Sequence, residues 1–143
     1  MPGFGSYLLV GTVAALVTFL LVPAVAHLAR RFGWVAHPNE RSVHETALPD
    51  VGGLAMFLGF VAALGTAWFL DDFASLFDSN SEPLGVLVAA AIVFGVGFVD
   101  DVVEVSPPAK VFFTVLGGLS LVWFGVVMDS FRLPYTGALI LSE

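Results

Sequence analysis

Two adjacent carboxylates, Asp100-Asp101, end an apolar run, and a lone lysine, Lys110, follows them across a short polar stretch. Neighbouring carboxylates resist ionising together unless a cation is near. A helix C-terminus is also a poor place for an anion, because the macrodipole is negative there. A divalent cation or a lysine relieves both terms, so the spacing points to metal or phosphate chemistry at a membrane edge. Ser106 is a candidate N-cap and Pro107 a candidate first helical residue, which places Lys110 in the first turn of the next helix. There it could receive a phosphate bridged by metal. The plainer readings are a solvated helix cap for the acids and a cytoplasmic anchor for the lysine. Glu104, four residues after Asp100, reads as a solvated loop acid.

The chain supplies its own control. Asp71-Asp72 also ends an apolar run, but opens a polar loop without a cation, and reads as a solvated cap. A third constellation is the loop His37-Pro38-Asn39-Glu40-Arg41-Ser42-Val43-His44, which continues through Pro49 to Gly52-Gly53. Its arginine and histidines suit a phosphate or nucleotide. Histidines at this spacing make no zinc site, and a solvated loop role is the alternative for each. Gly52-Gly53 permits close approach by a helix or ligand.

The elements that position these residues are apolar. The 143 residues are 58% hydrophobic and 12% charged, contain no cysteine, and carry a formal charge of −7, with mean hydropathy +0.96. Soluble domains carry about 25% charged residues. The composition excludes a soluble globule, an acidic disordered tail and a disulfide-stapled module. Five Lys and Arg are too few for a nucleic-acid footprint. The expected fold is all-α: a polytopic integral membrane protein with four helices at about 7–26, 51–70, 84–99 and 111–128, surrounded by membrane lipids. The third run has only sixteen residues, about 24 Å as a helix, which would hold Asp100-Asp101 against the hydrocarbon edge. Pro23 is expected to bend the first helix.

Arg30, Arg31 and Arg41 follow the first run and Lys110 follows the third, whereas the segment after the fourth holds only Arg132. The positive-inside rule then places the N-terminus outside and the loops at 30–50 and 100–110 in the cytoplasm. Gly95-Val96-Gly97 lacks the third glycine and the strand–turn–helix setting of a dinucleotide fingerprint, and reads as helix-packing positions. Trp34, Trp68, Trp123 and Tyr7 read as interfacial anchors. The last stretch, from Phe131, is compatible with a β-hairpin or the start of a fifth helix.

Pro38-Asn39-x-Arg41-x-x-His44, followed by Leu48-Pro49-x-x-Gly52-Gly53-Leu54-Ala55, closely resembles the first cytoplasmic loop of the polyprenyl-phosphate N-acetylhexosamine-1-phosphate transferases, glycosyltransferase family 4. Gly97-Phe98-Val99-Asp100-Asp101 with Pro107-x-x-Lys110 resembles that family's Asp-Asp motif and the lysine beyond it. The likeness covers essentially the whole chain but only the first half of a ten-helix fold. It implies that residues 1–143 are the N-terminal part of a single transmembrane glycosyltransferase domain. Its loop resembles the N-acetylglucosamine-1-phosphate branch more than the pentapeptide branch.

The resemblance implies attack of a polyprenyl phosphate of undecaprenyl type on the β-phosphorus of a UDP-N-acetyl sugar, with Mg²⁺, giving a polyprenyl-diphosphate sugar and UMP. It implies Asp100 orienting or deprotonating the lipid phosphate, Asp101 holding Mg²⁺ with Asp100 beside it, Lys110 on a phosphate oxygen, and His44 and Arg41 shaping the loop beneath. The implied location is a bacterial-type plasma membrane, with a homodimer as a candidate assembly. Asp50 replaces a commonly basic residue, and Thr114 a glutamine. The family's later Asn/Asp-rich motif and histidine-rich loop are absent, so the chain is expected to be truncated and inactive alone. The competing readings are a non-catalytic association protein and a small cation-pathway protein using the Asp pair.

Overall fold

No charged side chain occurs between Met1 and Ala29, and this stretch forms most of the longest element. The computed structural model describes residues 2–36, 48–49, 52–78, 81–103, 105–126, 130–133 and 137–140. Helix α1 spans Phe4–Phe32, 29 residues, or about 44 Å. It outruns the predicted 7–26 and runs through Pro23 to Phe32. Arg30 and Arg31 in its last turn complement the negative end of its dipole. It ends where Gly33 adopts φ 75°, and Trp34 N–H donates to the Ala29 carbonyl at 2.8 Å. A left-handed residue that redirects the last amides is how many helices stop.

Strands β1 (Val35–Ala36) and β2 (Leu48–Pro49) pair antiparallel, Val35 opposite Pro49. They close the base of the loop that carries the histidines. Helix α2 is Gly53–Trp68, a 3₁₀ turn follows at Asp71–Phe73, and α3 is Ala74–Asp78. The last two form an arm bent 91° from α2. The polar loop expected after Asp71 is thus partly helical, anchored by the buried Phe73 against Tyr7, with ring centroids 5.4 Å apart.

Helix α4 is Glu82–Val102, 21 residues, about 32 Å long. This corrects the predicted 84–99: Asp100 and Asp101 lie inside the last turn, and no short helix drags them toward hydrocarbon. Helix α5 is Pro107–Trp123, with Ser106 as N-cap in extended geometry and no side-chain cap bond. It starts before the expected 111, because Ser106 and Pro107 set its beginning and not the first apolar residue. The terminal stretch resolves to a hairpin, β3 (Ser130–Leu133) against β4 (Gly137–Ile140).

By length and composition, α1 and α4 are long and apolar enough to cross a membrane, and α2 with the α3 arm makes a third if counted as one broken span. Helix α5 is apolar but shorter. Helix α1 packs on α2, α4 packs on α5, and α2 joins the two pairs through α4. Small residues allow the approaches. A Cβ on Gly59 would strike Thr18 and the Ala14 carbonyl, one on Gly85 would strike Phe124, and one on Gly117 would lie 3.0 Å from Val93 Cγ2. The expected packing glycines, Gly95 and Gly97, meet nothing within 4 Å. That expectation is corrected: α4 and α5 come closest nearer the opposite end, at Gly85, Ala89 and Gly117. At the end bearing the Asp pair, Val25, Ala29 and Ala55 are buried, with Trp34, Phe98 and Val102 packed against them. Trp34 stacks on Phe32 and meets Phe98 edge-on, 5.4 Å between centroids. It is part of a packed cluster, not merely an interfacial anchor.

Candidate functional site

Asp100 and Lys110 face each other across the α4–α5 turn. Lys110 Nζ lies 2.7 Å from Asp100 Oδ1, with the side chains 43% and 28% exposed respectively. The Val105 amide donates to the same oxygen at 3.0 Å. Two charges that each oppose a helix dipole therefore answer one another: the carboxylate at the C-terminus of α4 and the ammonium at the N-terminus of α5. The turn also ends α4 just after Val102: the C-cap Val103 is extended and its amide donates to the Val99 carbonyl at 2.7 Å.

The start of α5 is poor in free amides. Pro107 and Pro108 have no N–H, and the Ala109 and Lys110 amides both donate to the Ser106 carbonyl at 3.0 and 3.2 Å. An anion at this turn therefore has the Lys110 side chain as its principal donor. Thr114, where the resembled family commonly has glutamine, donates to the Lys110 carbonyl at 2.8 Å and so serves its own helix.

Asp101 is exposed in the same turn as Asp100. Among the described residues no group of three or more His, Cys, Asp or Glu could hold a metal ion. Two carboxylates nevertheless fit magnesium, which usually binds through one or two acids while waters and substrate phosphates complete its octahedron.

Of the five residues expected at the site, the structure brings Asp100 and Lys110 together and sets Asp101 beside them. Arg41 and His44 lie outside the described residues, as does Glu104. The base of their loop is placed, however. The β1–β2 pair follows Trp34, whose ring meets Phe98 two residues before Asp100. Sequence reasoning missed two features: the Val105 amide on Asp100, and a groove of about 480 Å³ lined by α4 and α5 beside the ion pair. The groove had a signal in the small residues Ala91 and Gly95, one helical turn apart on α4.

Comparison with known proteins decides the family. The chain is 38% identical over 129 residues to the decaprenyl-phosphate N-acetylglucosaminephosphotransferase of Mycobacterium tuberculosis, covering 90% of this chain and 32% of that one. It belongs to the polyprenyl-phosphate N-acetylhexosamine-1-phosphate transferase family. The probable undecaprenyl-phosphate N-acetylglucosaminyl 1-phosphate transferase of Bacillus subtilis is 30% identical over 90% of this chain and 34% of its own length. A phospho-N-acetylmuramoyl-pentapeptide-transferase of Staphylococcus saprophyticus is 30% identical over 68% of this chain and 30% of its own length. The chain thus spans about a third of the length of the curated family members it matches. No family model matches it, and no solved structure does.

Proposed function

We propose that this chain carries the lipid-phosphate half of a site that transfers N-acetylhexosamine-1-phosphate, with N-acetylglucosamine as the sugar, from a UDP-sugar to a polyprenyl phosphate. The observation that carries the reading is the Asp100–Lys110 ion pair at the α4–α5 turn, in a chain whose relatives are named for this transfer. An oxygen of the lipid phosphate forms the new bond to the β-phosphorus, the bond from that phosphorus to the bridging oxygen breaks, and UMP leaves. A phosphate monoester has its second pKa near 6, so the nucleophile is largely a dianion at neutral pH. Positioning and charge stabilisation are then the main demands.

In this proposal Lys110 exchanges its bond to Asp100 for one to a phosphate oxygen. Asp100 orients the lipid phosphate with its second oxygen, and the Val105 amide keeps the carboxylate aimed as the lysine turns away. Asp101, with Asp100 beside it, would hold Mg²⁺, and the ion would supply neutralisation of phosphate charge. Arg41 and His44 shape the loop below. A carboxylate already committed to an ammonium favours this phosphate site over a bare cation pathway. The proposed topology has α1, α2, α4 and α5 as four spans of a larger bundle in a bacterial-type plasma membrane, with the N-terminus outside. The nucleotide half is proposed to lie on family segments outside the third of the relatives' length matched here.

A graft tests the assignment. The chain replaces the matching third of the M. tuberculosis relative, and Mg²⁺-dependent transfer from labelled UDP-N-acetylglucosamine is measured in membranes. Transfer by the graft and its loss on Asp100→Asn support the proposal; transfer unchanged by both Asp100→Asn and Lys110→Ala overturns it. For topology, single cysteines replace Ser42 and Asn80 in this cysteine-free chain. Labelling of Asn80→Cys alone by an impermeant maleimide on intact cells is expected, and labelling of Ser42→Cys overturns the orientation.

A further inference from the structure

One face of α1 is left uncovered by the other described elements. Val25 and Ala29 are buried in the cluster at the Asp-pair end. Two residues beyond each, about 200° around the helix, stand His27 and Arg31, both exposed. Ala24 and Leu20 continue that outward row toward the middle of α1 and are exposed too, Leu20 by 67%. Positions 20, 24, 27 and 31 form one helical stripe. Arg30 flanks it and is also exposed. Helix α1 has 29 residues, about 44 Å against a hydrocarbon core of about 30 Å, so its last turns reach headgroup depth. The stripe is therefore apolar where the bilayer is hydrocarbon and basic where lipid headgroups begin.

The basic end is unanswered among the described residues. Twelve acids accompany five Lys and Arg, so carboxylates are not scarce. Lys110 takes Asp100, yet among the described residues no ion pair involves His27, Arg30 or Arg31. A guanidinium fork gives a phosphate two parallel hydrogen bonds. A soluble phosphate would leave Leu20 and Ala24 without a share in binding, whereas a lipid uses both halves of the stripe. A zwitterionic headgroup brings its own cation to its phosphate; two free arginines suit a net negative one. We propose that the stripe seats an anionic phospholipid of the bilayer. Its phosphate meets Arg30 and Arg31, the His27 imidazole donates to it, and an acyl chain lies along Ala24 and Leu20. The inference goes beyond the proposed function and needs neither the transfer reaction nor the orientation of α1. The lipid belongs to whichever leaflet this end of the helix reaches.

The test uses the full chain in phosphatidylcholine nanodiscs holding a minor share of labelled lipid. A fluorophore on Ala24→Cys, in this cysteine-free chain, reports nitroxide-labelled phosphatidylglycerol or phosphatidylcholine beside the stripe by its quenching. A basic residue near an anionic surface is worth about fivefold in binding. Two arginines, partly screened by salt, then give an expected preference of about tenfold for phosphatidylglycerol. Arg30→Gln with Arg31→Gln is expected to bring the preference below about twofold. Arg132→Gln, which removes a charge from β3, should leave it in place. Salt at about 1 M, where the Debye length is about 3 Å, should collapse the preference without any change in the stripe. Equal quenching by the two lipids overturns the proposal, as does a preference that survives either the double substitution or the salt. Equal loss in Arg132→Gln also overturns it, by reducing the effect to net charge. Displacement of labelled phosphatidylglycerol by a polyprenyl phosphate, but not by the same amount of unlabelled phosphatidylglycerol, overturns it in favour of the acceptor lipid. None of these outcomes bears on transfer by the graft, so the proposed function stands or falls separately.

Discussion

Two Asp-Asp pairs end apolar helices in this chain, and their neighbours make them different. Asp72 accepts from the Ser6 hydroxyl and, at 3.4 Å, from the Gly3 amide. Neutral donors thus tie the start of α1 to the arm after α2. Asp100 accepts from an ammonium and an amide. The first arrangement is a structural tie between two chain segments. The second joins opposite charges at the ends of two consecutive helices and leaves a lysine that a phosphate can recruit. The residue pair is the same in both; the partner reached through the fold separates them.

The sharpest way to break this contrast is to remove one charge from each pair in the grafted enzyme. Asp100→Asn is expected to lower transfer by about 10²- to 10³-fold, the scale for losing one preorganised electrostatic contact to the reacting group. Asp72→Asn is expected to stay within about twofold of wild type. Equal losses would erase the distinction. Lys110→Ala should cost about 10- to 100-fold in transfer, with partial recovery in Lys110→Arg, because a guanidinium keeps the charge but not the compact geometry. Exchanging the two charges, Asp100→Lys with Lys110→Asp, should keep the unfolding temperature near wild type without restoring transfer. Restored transfer would show that the pair serves the turn alone.

Packing gives a smaller effect. Gly59→Val forces a side chain into Thr18 and the Ala14 carbonyl and should destabilise the α1–α2 pair by about 1–3 kcal/mol. Gly97→Val, with open space around it, should leave thermal unfolding in detergent unchanged. Least of all, Ser6→Ala should slightly loosen the tie to Asp72, read as faster proteolysis before α1 with no change in transfer.

Much of the candidate site was legible because its signals are local. Ser106 followed by proline marks a helix start wherever it occurs, and that placed Lys110 in a first turn. The adjacent acids and the loop motif were visible as residue types at fixed spacing. The helix bounds were less legible, because counting apolar residues locates the hydrocarbon segment and not the hydrogen-bonded helix. Helix α1 continues through Arg30 and Arg31 to Phe32, and α4 continues through Asp100 and Asp101 to Val102. Both tails carry a pair of charged residues. The glycine roles were not legible at all: Gly95 and Gly117 look alike in sequence, yet Gly117 lies under Val93 and Gly95 faces a groove.

Sequence alone determined that the chain is a set of apolar helices with its chemistry-bearing residues concentrated in two polar turns, because charge and hydrophobicity are properties of each residue. It also determined the family resemblance, carried by motif spacing. Only the tertiary structure decided that Lys110 meets Asp100 and that the Val105 amide joins it. It alone showed Trp34 anchoring the base of the histidine loop beside α4, and α4 and α5 leaving a groove at Gly95. Those facts depend on how helices cross and where small residues let them approach, and no single residue records the distance to a partner on another helix.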